Sequence, residues 1–267
     1  MSLYYILLLA IIQGLTEFLP ISSSGHLALI PQITGHNDQG QFIDVSVHIG
    51  TLGAVVVYFW KDVKLAFFGF FGLFKGDFVS KGPKLAFLLT IATLPVIFFG
   101  LMLKLSGYSE IIRSVKVIGW AMLLFGILLY FIDQKSLQNR TQSDWRFSDA
   151  LKIGLWQVIA LIPGSSRSGM TIIGARNLGF NRVDSANISM LMSIPTIIAS
   201  GTLLGSEVFY NADWEAAKIG IIAAIFSFFS GLIALIIMMK MLKTISFTPY
   251  VIYRIILGVS LLWISYT

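Results

Sequence analysis

The 267-residue sequence is 56% hydrophobic and only 12% charged, with a mean hydropathy of +0.83 and a formal charge of +6. Soluble domains carry about 25% charged residues, so this composition excludes an ordinary soluble fold. The basic excess forms no run or tail, which argues against a nucleic-acid partner, and the absence of cysteine excludes disulfides and thiolate chemistry.

In chain order, the first apolar segment is 3–33. Its opening, 3–12, is too short to cross a bilayer. It lacks the positive charge of a secretory signal and runs into Gln13 and Glu17, so it reads as retained structure. A polar centre follows: Gln13, Thr16, Glu17, Pro20, Ser22, Ser23, Ser24, Gly25 and His26. Then come spans at 42–60, 85–104 and 114–132, with Lys-rich connections at 61–84 and 133–152. Within the first connection, Phe67 to Phe74 read as lipid-facing or interfacial. A second broken segment, 153–175, is interrupted by Pro163, Gly164, Ser165, Ser166, Arg167, Ser168 and Gly169. Spans at 186–206, 218–239 and 249–266 close the chain.

Irregular backbone at membrane depth is tolerated only where protein or a water-filled cavity surrounds it. Each broken segment therefore suggests a helix–loop–helix that enters the membrane and returns. Laying Glu17–Gly25 over Ala160–Ser168 matches the prolines and two serines. Broken segments at corresponding places in two halves point to a shared midplane site. Placing the connections 61–84, 133–152, 176–185 and 240–248 on one side gives that side 13 of the 19 Lys and Arg. The other side holds Lys104, Arg113, Lys116 and Lys218, with the acidic Glu207, Asp213 and Glu215. The richer side reads as cytoplasmic and both termini as outside. The expected fold is an all-α integral membrane protein, a single domain over 1–267. It has about six transmembrane helices and two re-entrant segments in an inverted repeat, with halves 1–132 and 153–267.

Ionisable groups inside a bilayer are costly, which makes them functional candidates. Gln13 and Glu17 stand at i and i+4 on one helix face, where their oxygens suit Mg²⁺, a hard cation that also bridges phosphates. The plainer reading is that Glu17 caps a helix or pairs with Arg167. Ser22-Ser23-Ser24-Gly25-His26 suits an anion-binding turn, with a serine as nucleophile and His26 as general base. Its plain alternative is a serine-rich cap beside an ordinary histidine. Arg167 presents a fork that matches phosphate oxygens, and the small residues beside it admit the anion. The combination implies phosphate, with Arg167 and His26 expected to converge on one headgroup. Asp44 and His48, also i and i+4, read as cavity-lining, structural or interfacial. Arg176, Arg182 and Asp184 read as cytoplasmic-boundary residues and His36 as an exposed loop residue. Gly119 and Gly126 suit close helix packing, within one subunit or between two in a homodimer.

At these residues the sequence resembles the bacterial undecaprenyl-diphosphatase, or bacitracin-resistance, family. The match rests on the run Gln13–His26, on Pro163–Thr171 and on Asp44–Thr51. The resemblance implies dephosphorylation of undecaprenyl diphosphate, a polyprenyl diphosphate lipid, to the monophosphate carrier of cell-wall synthesis. It implies a divalent cation, Mg²⁺ or Ca²⁺, and a plasma-membrane site open to the outside. It assigns Gln13 and Glu17 to the metal-and-catalysis motif, with Ser23, His26 and Arg167 as the other principal residues. Ser22, Ser24, Gly25, Gly164, Ser165, Ser166, Ser168 and Thr171 are the expected substrate-binding set. The first motif position, often Glu in the family, is Gln13 here, which can ligate or orient but cannot act as a base. Ser23 attacking with His26 as base, or water activated by His26 or Glu17, both remain open at this level. A transporter of a prenyl phosphate or other anionic solute is the competing reading, because inverted repeats with broken helices also build transporters.

Overall fold

The computed structural model describes residues 3–35, 40–107, 114–209 and 214–267, the side chains of 32, 33, 204–209 and 215 aside. The helices are α1 Leu3–Glu17, α2 Ser23–Thr34, α3 Gly40–Tyr58, α4 Trp60–Leu73, α5 Lys81–Ser106 and α6 Val115–Lys135. They continue with α7 Phe147–Ile159, α8 Arg167–Asn177, α9 Arg182–Phe209, α10 Trp214–Met241 and α11 Thr248–Tyr266. Among the described residues there is no strand, and six helices are long and apolar enough to cross a membrane: α3, α5, α6, α9, α10 and α11. These are the six expected spans. The remaining candidates for the broken segments, α1 and α2 with 15 and 12 residues and α7 and α8 with 13 and 11, fall short of the ~20 needed to cross. His36, Arg113 and Asp213, and the side chains of Glu207 and Glu215, all used in the sequence reading, lie outside what is described.

The helices pair in two parallel sets. α1 packs against α10 and α7 against α5; α3 packs against α10 and α9 against α5; α6 and α11 pack on each other. Close approach has a sequence cause. Gly14 of α1 lies against Ser230 and Gly231 of α10, and Gly154 of α7 lies against the backbone of Ala92 in α5. Gly119 and Gly126 of α6 face Leu262 and Arg254 of α11, so both serve packing within the chain.

The protein is apolar outside as well as inside. Phe98, Phe229, Ile233 and Ile256 are exposed on their spans, whereas α8 is buried from Ser168 to Arg176. A helix with so little apolar character, enclosed by neighbours, is a helix that carries the site. At one end of the bundle Arg176 and Arg182 each bond the buried Asp133 of α6 at 2.9 Å, and the Phe247 amide donates to the same carboxylate. Arg176 is thus a fully buried staple joining α6 and α8 at that end, while Asp184 accepts from the Asn181 side chain.

One connection holds more order than the sequence reading gave it. The 61–84 stretch contains α4, which lies on α5 where Gly69 meets Gly82. Its Phe67, Phe68, Phe70, Phe71 and Phe74 are exposed, as a lipid-facing or interfacial set would be.

Candidate active site

Both broken segments fold into the same turn. α1 ends at Glu17, and α2 starts at Ser23 behind Ser22, whose φ is 71°. α7 ends at Ile159, and α8 starts at Arg167 behind Ser166, whose φ is 74°. Each serine caps the following helix: Gly25 N donates to Ser22 Oγ at 3.4 Å, and Gly169 N to Ser166 Oγ at 3.1 Å. Each also meets the serine two residues on, Ser24 at 3.2 Å and Ser168 at 3.1 Å. This geometry corrects the sequence alignment by one residue. Ser22 corresponds to Ser166 and Gly25 to Gly169, because the left-handed cap and the glycine behind it, not the prolines, set the register. Ser23 and Arg167 are then equivalent positions, each the first residue of its helix. Gln13 and Gln157 also become equivalents, and both are fully buried with an Oε1 that has no hydrogen-bond partner.

The two turns meet in a cavity of about 190 Å³ lined by Glu17, Ser22, Ser23, Ser24, His48 and Ala160 on one arc. Ser166, Arg167, Thr196, Ile197 and Ser200 complete the lining. Glu17 is its hub. Glu17 Oε2 accepts from Ser23 Oγ at 2.6 Å and from Gln13 Nε2 at 2.9 Å, and His48 Nε2 lies 3.8 Å away. Glu17 Oε1 accepts from Arg167 Nη2 at 2.9 Å. Arg167 lines this serine-rich cavity at the starts of two helices, and its Nη1 is buried without a hydrogen-bond partner. Helix N-termini, surplus guanidinium N–H and hydroxyls together suit an anion with several oxygens.

His26 is not part of that constellation. Its Nδ1 lies 2.7 Å from the Ser22 carbonyl and its Nε2 2.6 Å from the Tyr253 hydroxyl. Both ring nitrogens are engaged away from Ser23, so the expected Ser23–His26 pairing is replaced by Ser23–Glu17. The expected convergence of Arg167 and His26 becomes one of Arg167, Glu17 and His48. Of the expected binding set, Ser22, Ser24 and Ser166 line the cavity; the others are held elsewhere. Ser165 donates to Ile162 O, Ser168 to Leu19 O and Thr171 to Arg167 O, while Gly25 packs near Ile118. Gly164, at φ 90°, lies against the backbone of Ile118, where no Cβ fits.

Sequence reasoning missed Thr196, Ser200 and Gln157. Gln157 Nε2 donates to Thr196 Oγ1 at 3.1 Å. It also did not single out Arg254 in the last span. Arg254 is fully buried and spends its donors on four carbonyls: Met122 at 3.2 Å, Pro20 at 3.1 Å, Ala121 at 3.3 Å and Gly164 at 3.1 Å. Pro20 and Gly164 belong to the two turns, so α11 ties one to the other. The signal was available: an arginine in mid-span is a candidate by default.

Among the described residues no three His, Asp or Glu side chains cluster to hold a metal on protein ligands alone. The orphaned Gln13 Oε1 beside the Glu17 carboxylate nonetheless fits a hard cation that completes its shell with phosphate oxygens.

The sequence pattern described as "Bacitracin resistance protein BacA" matches residues 6–260. A protein of Jannaschia sp. (strain CCS1) named undecaprenyl-diphosphatase is 57% identical over 266 residues, covering all of both chains. Proteins with the same name from Ruegeria pomeroyi and Roseobacter denitrificans are 55% and 54% identical over 267 residues, again with full coverage. Matched over residues 6–260 and more than half identical to these relatives along its whole length, the chain belongs to the BacA, or bacitracin-resistance, family.

Proposed function

We propose that this protein is a multi-pass membrane phosphatase that hydrolyses undecaprenyl diphosphate to undecaprenyl phosphate and inorganic phosphate, returning the lipid carrier to cell-wall synthesis. The observation that carries the reading is the Ser23 Oγ–Glu17 Oε2 contact of 2.6 Å beside the unpartnered Arg167 Nη1.

Phosphoryl transfer depends on positioning and charge neutralisation. Arg167 Nη1, the serine hydroxyls and the first amides of α2 and α8 bind the terminal phosphate. Glu17 takes the proton of Ser23 as Oγ forms a bond to the terminal phosphorus, and the bond to the bridging oxygen breaks. Undecaprenyl phosphate leaves with the proton that Glu17 took. Glu17 then accepts a proton from water as that water attacks the phosphoserine phosphorus, and returns it to Ser23 Oγ as the P–Oγ bond breaks and inorganic phosphate departs. Glu17 and Gln13 would hold a divalent cation, Mg²⁺ or Ca²⁺, which when bound offsets phosphate charge. The prenyl tail lies among the spans, in lipid. The Lys and Arg distribution supports a site opening to the outer face, with both termini there, and the exchange of helix pairings supports two inverted halves. The transporter reading draws nothing from the relatives, which are named for a diphosphatase.

The test is phosphate release from undecaprenyl diphosphate by purified protein in detergent, with and without chelator. Release that depends on Ser23 and Glu17 is expected. A purified, folded protein that releases none with Mg²⁺ or Ca²⁺ present overturns the proposal.

A further inference from the structure

Ser22 is the strained residue of the reactive turn. A non-glycine residue at φ 71° is costly and persists only where its surroundings over-determine it. The duplicate turn shows what normally does this. There the Met170 amide donates to the Ser166 carbonyl at 2.9 Å, the first backbone bond of α8. In the reactive turn the matching bond, His26 N to Ser22 O, is stretched to 3.4 Å. His26 stands where the duplicate has Met170, and its side chain supplies what the backbone lacks: Nδ1 meets the same carbonyl at 2.7 Å.

A carbonyl only accepts, so Nδ1 carries the ring proton and Nε2 is the bare nitrogen. Nε2 accepts from the Tyr253 hydroxyl at 2.6 Å, and the two ring planes lie 7° apart. Tyr253 is the neighbour of Arg254 on α11, and Arg254 holds the Pro20 carbonyl two residues before Ser22. One helix therefore grips the reactive turn twice. His26 does not line the cavity, whereas Ser22 and Ser23 do.

We propose that Tyr253 is a positioning residue of the phosphatase: by fixing the tautomer and ring orientation of His26 it holds the Ser22 carbonyl, and so sets Ser23 Oγ on Glu17. His26 then acts on the reaction through Ser22 and not as its base. The proposal rests on the phosphatase reading.

The full-length protein in detergent micelles is assayed on undecaprenyl diphosphate as wild type, Tyr253→Phe, His26→Ala, His26→Asn and the Tyr253→Phe/His26→Ala double variant, each checked for folding by its melting curve. Loss of one hydrogen bond predicts a kcat about fivefold lower for Tyr253→Phe with KM little changed. Adding Tyr253→Phe to His26→Ala costs nothing more, because the partner is already gone. His26→Asn puts an amide N–H near the place of Nδ1 without any basic nitrogen, and recovers about tenfold of what His26→Ala loses. His26→Asn as inactive as His26→Ala, or Tyr253→Phe with wild-type kcat, overturns the proposal. With only three histidines in the chain, ¹⁵N spectra read the tautomer independently of turnover. The Nδ1–H signature of His26 is lost or averaged in Tyr253→Phe; its absence in wild type refutes the positioning role. A wild type that releases no phosphate overturns the phosphatase reading instead, and shows this before any variant is compared.

Discussion

Arg167 lines the cavity, gives Nη2 to Glu17 and keeps Nη1 buried without a partner. A lysine at that position keeps the charge but offers a single point in place of a fork. Arg167→Lys is therefore expected to lower kcat/KM by roughly 100-fold, read by phosphate release, with the fold intact. Glu17→Gln removes the proton acceptor while conserving shape, and a general base contributes about 10²–10⁴-fold. That variant should fall within this range in kcat, and retention of wild-type kcat would eliminate Glu17 as the base. The carboxylate, serine and arginine were all legible in the sequence, because polar residues in apolar segments stand out. The contacts of His26 were not. A Ser-Ser-Gly-His string looks like nucleophile and base, and only the direction of the ring shows that it turns to Tyr253, more than two hundred residues away in the chain.

At the scale of elements, apolar length located all six spans, because a bilayer demands one property over a fixed number of residues. The same criterion passed over α4, whose 14 residues include two lysines, an aspartate and a run of phenylalanines and so read as a connection. The register of the duplicated turns was misread by one because proline is conspicuous in a sequence while a left-handed serine is invisible there. Helix contacts set two expectations. Gly154→Val forces a branched side chain against the Ala92 backbone, where over-packing costs about 1–3 kcal/mol, seen as a lower melting temperature in detergent. Asp133→Asn leaves Arg176, fully buried, without its counter-charge; breaking such a pair costs about 3–5 kcal/mol by the same measurement. Replacements on the exposed face of α4, such as Phe71→Leu, should leave the melting temperature unchanged within error.

At the scale of the molecule, the orientation inferred from Lys and Arg has a direct check. The chain contains no cysteine, so single introduced thiols report without background. In intact cells a membrane-impermeant maleimide should label Thr267→Cys and spare Lys75→Cys until the membrane is opened; the reverse pattern would invert the topology.

The equivalence of Ser23 and Arg167 carries a further consequence. Two identical polypeptides related by that exchange present a pair of hydroxyls or a pair of guanidiniums at the meeting point, never one of each. Joining both turns in a single gene product frees the two positions to diverge, and a symmetric frame comes to hold an attacking oxygen opposite a cation.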